Sequence, residues 1–130
     1  MWNLKDKTVV ITGATNGIGK AAALELAKQS PKLLLTFRNQ ELADNLLAEI
    51  KTAAPDVSVE LIYCDFSMQS SIRECSKEII ASQDKIDVLI NNAGVVNTSY
   101  HETSEGIENT FAVNHLGYFL FTNLLLNKMK

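Results

Sequence analysis

Cysteine and proline are scarce in this sequence, with two residues of each among 130. Cys64 and Cys75 lack the C-x-x-C spacing of a redox pair, and neither has a metal-ligand spacing with a histidine. We therefore expect reduced, structural thiols and no metal site. The net charge is -3 and the basic residues are scattered, which argues against nucleic acid and anionic membranes as partners.

Long hydrophobic runs are also missing. No apolar run reaches the roughly 18 to 20 residues that a membrane span requires, and residues 1–20 lack a signal-peptide pattern. We therefore expect a cytoplasmic or organelle-matrix location, and membrane association of a longer parent protein stays open. The rest of the composition, 46% hydrophobic and 21% charged, is typical of one ordinary globular domain.

Short β-branched or leucine-rich runs alternate with stretches of helical period. The runs predict four strands, over residues 8–11, 33–37, 57–63 and 86–90. Three amphipathic helices are predicted between them, with apolar faces formed by Ile18, Ala22 and Leu26, by Leu42, Leu46 and Ile50, and by Ile72, Cys75 and Ile79. A last apolar segment over residues 104–130 predicts a buried helix.

This alternation predicts an α/β fold, a Rossmann-type doubly wound parallel sheet with strand order 3-2-1-4 and flanking helices. Asn39 is a candidate N-cap for the second helix, and Ser67 or Ser70 for the third. The longest polar loop, residues 95–105, follows the fourth strand. It lies at the carboxyl edge of the sheet, where open α/β sheets bind ligands.

A glycine-rich turn over residues 12–19, TGATNGIG, joins the first strand to the first helix. Glycines permit a tight turn and close approach of a cofactor, while a helix N-terminus attracts an anion. The spacing differs from the phosphate-transfer loop G-x-x-x-x-G-K-[ST], and Ala21 replaces the hydroxyl that would hold magnesium, which disfavours a nucleotidase. The spacing G-x-G-x-x-G is not met either, so a purely structural turn stays open on this motif alone.

Two motifs together resemble the short-chain dehydrogenase/reductase family. The turn matches that family's pattern of Gly-x-x-x-Gly-x-Gly preceded by Thr, and residues 91–94, NNAG, match the box that follows its fourth strand. Each motif stands at a strand end, and the resemblance extends from Lys7 to the end of the chain. Residues 113–125 are most similar to the branch that contains the retinol dehydrogenases.

The resemblance implies a set of site residues. Asp65 matches the carboxylate that holds the adenine amino group in relatives, although capping of the next helix stays open for it. Asn114 matches the catalytic asparagine that disturbs a helix and orders a water for the proton relay. Its apolar neighbours predict that Asn114 is shielded from solvent. The expected cofactor-binding residues are Gly13, Thr15, Asn16, Gly17, Ile18, Gly19, Arg38, Asn39, Asp65, Phe66, Asn92, Ala93 and Gly94.

Arg38 follows the second strand, where dinucleotide folds recognise the adenosine ribose. A carboxylate there binds a 2′-hydroxyl, whereas an arginine pairs with a 2′-phosphate, so Arg38 predicts NADP(H) as the preferred cofactor. Asn16 is neutral where many NADP-preferring relatives carry Lys or Arg, so NAD(H) use also stays open. The other interpretation of Arg38 is a solvated loop residue.

The family's catalytic Tyr and Lys, four residues apart, have no counterpart here. The residues four positions after Tyr63, Tyr100 and Tyr118 are Ser67, Ser104 and Thr122. We interpret residues 1–130 as the N-terminal dinucleotide-binding part of a single domain from an NADP(H)-dependent oxidoreductase, and expect the chain alone to be inactive. A catalytically inactive cofactor-binding or scaffolding subunit is the alternative, and a non-redox nucleotide-binding module is a third.

The resemblance also bears on partners. The branch implies a small hydrophobic alcohol or carbonyl compound as the substrate of the complete protein. The predicted order 3-2-1-4 leaves the fourth strand at an edge, with apolar side chains on both faces. We therefore expect a homo-oligomer or a covering partner at that edge.

Overall fold

The computed structural model describes residues 3–130, so the first two residues of the predicted 1–130 unit lie outside the described part. Four strands form one parallel sheet in the order β3-β2-β1-β4, which confirms the predicted topology. The strands are β1 Thr8–Ile11, β2 Lys32–Phe37, β3 Ser58–Tyr63 and β4 Val88–Ile90. In register, Val10 on β1 lies between Leu34 on β2 and Leu89 on β4.

The helices alternate with the strands as predicted. They are α1 Gly17–Ala27, α2 Gln40–Ala53, α3 Gln69–Ser82, the short α4 Asn109–Phe111, and α5 Gly117–Met129, with a π-helical turn Ala112–Leu116 between the last two. The last helical segment begins at residue 109 and not at 104, because residues 101–108 fold back on themselves through Thr103 N to Ile107 O and Asn109 N to His101 O.

The fourth strand is shorter than predicted. Its expected first residue, Ile86, donates its backbone N–H to the Lys128 carbonyl at 2.8 Å, and so joins the end of α5 to the sheet without pairing in it. The next residue, Asp87, donates its backbone N–H to the Thr8 carbonyl, and regular pairing with β1 begins at Val88.

Alternating strand residues fill two hydrophobic layers, one on each face of the sheet. Val10, Leu34 and Ile62 face the side covered by α3 and α5, where they pack in one cluster with Ile79 and Phe121. The opposite side is covered by α1 and α2, and its cluster includes Val9, Ile11, Leu33, Leu35, Ala23, Leu46 and Ile50. Both faces of a parallel sheet are thus buried, which explains why the strands are almost continuously apolar.

The predicted apolar face of α1 is wrong. Its buried residues are Gly19, Ala23 and Ala27, whereas Ile18 is 83% exposed. The helix is apolar on most sides, so periodicity alone does not select one face. The small residues face the sheet because they let the helix approach it closely. On α2, Leu46 and Ile50 are buried as predicted, but Leu42 is exposed.

Of the two predicted helix caps, one is confirmed and the other is wrong. Asn39 caps α2 as predicted, since its Oδ1 accepts the Leu42 N–H at 3.0 Å. The expected cap of α3 by Ser67 or Ser70 is wrong, because Met68 occupies the N-cap position and makes no side-chain cap. The Ser67 hydroxyl instead donates to Asp65 Oδ1 at 2.7 Å.

Two buried thiols lie in the core layer between the sheet and α3. Cys64 and Cys75 are both free and buried. The hydrogen bond with Cys75, together with burial, raises the pKa of the Cys64 thiol. Separately, none of the helices within residues 3–130 combines the length and the apolar character needed to cross a membrane.

Candidate cofactor site

A cleft of about 510 Å³ lies at the carboxyl ends of the strands, where the predicted site residues come together. Every predicted cofactor-binding residue except Gly19 lines this cleft. Its other lining residues, which sequence reasoning missed, are Thr36, Phe37, Leu42, Cys64, Val95 and Val113. They are mostly apolar residues at strand ends or on helices, so no motif marks them. Their common signal is the topology, which places them at one edge of the sheet.

The glycine turn follows β1 and forms one side of the cleft. Gly13 and Gly17 have positive φ angles of 62° and 54°, which L side chains rarely adopt. A Cβ on Gly17 would meet no atom within 4 Å, so the turn is open there to a bound group. A Cβ on Gly13 would lie 2.6 Å from Ala93 Cα, so only glycine lets the turn approach the NNAG segment this closely.

Gly19 lies behind the cleft and is buried. A Cβ there would collide with the Asn92 side-chain amide and the Gly13 carbonyl. In this structure, the third glycine of the motif therefore allows close packing between α1 and the NNAG segment and does not line the ligand space.

The N-terminus of α1 supplies the electrostatic part of the site. Asn16 occupies the N-cap position without a side-chain hydrogen bond to the helix, so the first N–H groups of α1 lack a side-chain acceptor. Asn16, Gly17 and Ile18 line the cleft. The positive end of the helix dipole therefore faces the cleft, which suits the pyrophosphate of a dinucleotide. With the open space at Gly17, these residues fit a dinucleotide cofactor.

Thr12 holds the ends of β1 and β4 together, a role that sequence reasoning missed. It is fully buried, and its Oγ1 accepts the backbone N–H groups of Asn92 at 2.9 Å and Ala93 at 3.0 Å. The same hydroxyl donates to the Ile90 carbonyl at 3.4 Å. The threonine before the first glycine thus fixes the distance between the two motifs.

The two asparagines of the NNAG segment brace different parts of the molecule. Asn92 Nδ2 donates to the Gly13 carbonyl at 3.0 Å and supports the glycine turn. Asn91 Nδ2 donates to Thr122 Oγ1 at 3.0 Å and ties the end of β4 to α5. The side-chain amides at the start of this segment therefore fix it to the glycine turn on one side and to α5 on the other.

Asn114 lies in the π-helical turn but is exposed, so the prediction that it is shielded from solvent is wrong. Its apolar neighbour Val113 turns inward, while the turn directs Asn114 outward. The amide is nevertheless held: Oδ1 accepts the Val95 N–H at 2.8 Å, and Nδ2 donates to the Val95 carbonyl at 2.7 Å. Asn114 thus closes the base of the loop that leaves the cleft.

Arg38 and Asp65 face each other at the ends of β2 and β3. Arg38 Nη1 lies 4.0 Å from Asp65 Oδ1, and the arginine side chain is 61% exposed. Asp65 Oδ1 also accepts the Ser67 N–H at 2.9 Å, so this carboxylate shapes its own turn. Because the arginine is largely exposed and its contact with Asp65 is long, the pair contributes little to stability and leaves the guanidinium able to bind another anion.

Two of the three tyrosines have pKa values shifted away from proton exchange near neutral pH. The Tyr118 hydroxyl is buried without a hydrogen-bond partner within residues 3–130, and burial raises its pKa. The pKa of Tyr100 is also raised, because its hydroxyl donates to the Glu102 carboxylate at 2.7 Å. A tyrosine that exchanges protons near neutral pH needs the opposite shift.

Comparison with known proteins identifies the family to which this chain belongs. The sequence profile described as short chain dehydrogenase matches residues 7–130. The chain belongs to the short-chain dehydrogenase family. It is 43% identical over 124 residues to human retinol dehydrogenase 13, covering 95% of this chain and 38% of that protein. It is 42% identical over 127 residues to human retinol dehydrogenase 11, covering 98% of this chain and 40% of that protein. The chain thus spans about two fifths of the length of these relatives.

Solved structures of the short-chain dehydrogenase family share the fold. A metagenomic short-chain oxidoreductase in complex with NADP matches with a TM-score of 0.82 at 29% identity, over 97% of this chain and 57% of that one. A short-chain dehydrogenase from Sphingobium yanoikuyae in complex with NADPH matches with a TM-score of 0.77 at 28% identity, over 92% and 46%. The family and fold assignments made from the sequence are confirmed, including the likeness to retinol dehydrogenases.

Proposed function

We propose that this short-chain dehydrogenase chain forms the cofactor-binding part of an NADP(H)-dependent oxidoreductase that acts on an alcohol/carbonyl pair. The observation that carries the proposal is the convergence of the glycine turn, Arg38, Asp65 and residues 92–94 on one cleft. A dinucleotide needs an anion site, a ribose site and an adenine site in a row, and these groups supply donors and acceptors of those kinds.

The choice of NADP(H) rests on Arg38. Its guanidinium lies at the cleft rim at the end of β2, its side chain is 61% exposed, and the nearest carboxylate oxygen is 4.0 Å away. Moving it toward a 2′-phosphate therefore costs little, and the resulting contact is charge-assisted. Two structural relatives were solved with NADP or NADPH, which supports the same choice. NAD(H) stays possible, because Asn16 adds no positive charge.

The described residues support binding and orientation of the cofactor. A bound nicotinamide would supply the hydride chemistry, and the protein around it supplies orientation and proton delivery. No Tyr and Lys four residues apart occur among the 130 residues, so we propose that this chain alone turns over little or no substrate. Asn114 is the one proposed catalytic residue in the chain, and both polar atoms of its amide bind Val95, which lines the cleft.

The substrate class follows from the relatives. Retinol dehydrogenase 13 and human polyprenol dehydrogenase, which is 36% identical over 125 residues, are named for hydrophobic alcohols. We propose a small hydrophobic alcohol or carbonyl compound as the substrate of the complete protein.

Replacement of Arg38 tests the cofactor proposal. Arg38→Ala should weaken NADPH binding by roughly tenfold or more and leave NADH binding nearly unchanged, since only NADPH carries the 2′-phosphate. Fluorescence titration of the purified chain with NADPH and NADH, together with displacement of NADPH by ATP, measures all three affinities. Arg73→Ala on α3 is the matched control, because Arg73 is exposed and lies outside the cleft.

Two results would contradict the proposal. Equal loss of NADPH and NADH affinity in Arg38→Ala would show that Arg38 does not recognise the phosphate. Equal affinity of the wild-type chain for NADPH and ATP would instead favour a nucleotide-binding module without redox chemistry.

A catalytically inactive scaffolding subunit is the second candidate, favoured by the lack of a Tyr and Lys four residues apart. The two functions differ in the size of the native polypeptide. A mass near 14.3 kDa in the source cells would favour the scaffold, and one about two and a half times as large, as in the relatives, the oxidoreductase.

A further inference from the structure

The first N–H of helix α3 is capped by a residue far away in the sequence. Gln69 N donates to Glu105 Oε1 at 2.8 Å, across 36 positions of the chain. The helix has no cap of its own, because Met68 at the N-cap position makes no side-chain hydrogen bond. A carboxylate at this end also interacts favourably with the helix dipole. Glu105 therefore joins two separate segments.

Glu105 lies near the tip of a loop whose base is closed at the cleft. We define the β4 loop as residues 95–108. Its first residue, Val95, is held by both polar atoms of the Asn114 amide. Near the tip, Thr103 N donates to the Ile107 carbonyl at 2.8 Å, and the backbones of Glu102 and Glu108 form an isolated antiparallel β-bridge. The loop is a closed unit, and its Glu105 side chain reaches α3.

The capped end of α3 adjoins the residues proposed to contact adenine. We define the Asp65 turn as residues 65–68. The Met68 N–H donates to the Asp65 carbonyl at 3.1 Å, and the Asp65 N–H donates to Ser71 Oγ at 2.8 Å within α3. Because the backbone carbonyl and N–H of Asp65 both bind the start of α3, the position of Asp65 depends on the start of that helix.

A second cavity, of about 230 Å³, lies under the connection. Glu105, Gln69 and Ile107 line it together with Phe66, which also lines the cofactor cleft. The loop is therefore not packed solidly onto α3 at this point. Among residues 3–130, the only hydrogen bond between the β4 loop and α3 is the one that Gln69 N donates to Glu105 Oε1. Phe66 lines both cavities, so it lies between the Glu105 connection and the cofactor cleft.

We propose that Glu105 is a positioning residue for the cofactor site. Through the start of α3 it holds the Asp65 turn, and it thereby couples the β4 loop at one end of the cleft to the adenine-binding end. The proposal rests on the proposed function, because it assigns the Asp65 turn to the adenosine half of NADP(H).

The experiment compares three variants with the wild-type chain. Glu105→Ala removes the acceptor, and Glu105→Gln keeps an oxygen acceptor without the charge. Glu102→Ala is the matched control, because Glu102 is a carboxylate of the same loop whose side chain binds Tyr100 and not α3. Hydrogen exchange of unliganded protein reports on residues 65–72, and calorimetry measures binding of NADPH and of 2′,5′-ADP, which carries the adenosine half alone.

Glu105→Ala should accelerate exchange over residues 65–72 and weaken both ligands by roughly three- to tenfold, because binding must then restore the stability that the cap gives to the start of α3. Glu105→Gln should recover most of this loss, and Glu102→Ala should match the wild type. Unchanged exchange and unchanged affinities in Glu105→Ala would overturn the proposal.

Failure of the cofactor proposal has a different signature. If the wild-type chain binds neither ligand, the proposed function fails, and the exchange measurement alone decides whether Glu105 holds the turn. Faster exchange with unchanged 2′,5′-ADP affinity would show that the cap is structural only, and would also overturn the positioning role.

Discussion

At the scale of single residues, the cleft is built from polar side chains that bind backbone groups. Thr12 Oγ1 accepts hydrogen bonds from two N–H groups of the NNAG segment. The Asn92 side chain donates to the Gly13 carbonyl, and the Asn114 amide binds the backbone of Val95. The strand ends and loops here lack regular ladder partners, so side chains satisfy their backbone groups. The ligand space thereby gains a rigid frame before any ligand binds.

Thr12 offers the sharpest stability test of this frame. Thr12→Val keeps the shape but leaves the Asn92 and Ala93 N–H groups without their acceptor in a buried position, which should lower the free energy of unfolding by about 2 to 4 kcal/mol. Urea denaturation measures the change. Thr12→Ser is the control, because it keeps the hydroxyl and should cost about 1 kcal/mol for the lost methyl group. Equal stability of Thr12→Val and wild type would refute this role.

The sequence predicted most of the residues that line the cleft but misjudged some of their surroundings. The positions of Gly13, Gly17 and Asn92 follow from motifs, because spacing at strand ends is visible in the sequence. Solvent exposure of Asn114 is not visible there, since it depends on which way a π-helical turn directs a side chain. The bracing role of Thr12 is not visible in the sequence either, because its partners lie about 80 positions away.

At the scale of elements, β4 is fastened to β1 by a charged residue just before it. Asp87 Oδ2 accepts the Thr8 N–H at 3.0 Å, and Oδ1 lies 3.0 Å from Lys85 Nζ. The Thr8 N–H and Lys85 lower the pKa of this carboxyl below its ordinary value of 3.8. The folded chain therefore stabilises the ionised Asp87 carboxylate relative to its protonated form.

This shift predicts a pH-dependent contribution to stability. Because the folded pKa lies below the unfolded pKa, the contribution is complete above about pH 5 and is lost as the pH falls through the folded pKa. Asp87→Asn should lower the free energy of unfolding by about 1 to 2 kcal/mol at pH 7, and the difference should shrink below pH 4. Thermal melts from pH 3 to pH 8 measure this. Asp84→Asn, an exposed neighbour without an ion pair among residues 3–130, should show no such trend.

Element boundaries and faces show where local sequence patterns stop being informative. Strand positions were predicted to within two residues, because apolar runs in a parallel sheet are buried on both faces. The face of α1 was wrong, since a helix rich in alanine has no unique apolar stripe, and close packing selects Gly19, Ala23 and Ala27. The cap of α3 was unpredictable locally, because its carboxylate comes from Glu105.

At the scale of the whole molecule, the sheet has two edges with different character. At the β3 edge, Ser58 and Tyr63 are exposed and Glu60 is half-buried, so polar and bulky side chains interrupt the apolar surface. At the β4 edge, Val88, Leu89 and Ile90 are all only partly buried, although they pack against the two cores. Apolar side chains on both faces of an unpaired edge favour pairing with another strand.

We therefore predict that the purified 130-residue chain associates through the β4 edge. Sedimentation velocity should show species larger than a monomer that increase with concentration, and thioflavin T fluorescence should rise because association extends a sheet. The exposed Phe119 on α5 is a competing source of association, since its side chain is 65% exposed. Phe119→Gln should leave the thioflavin response unchanged if the edge is responsible. A cooperative thermal transition of a monomer at all concentrations would show that β4 needs no covering partner.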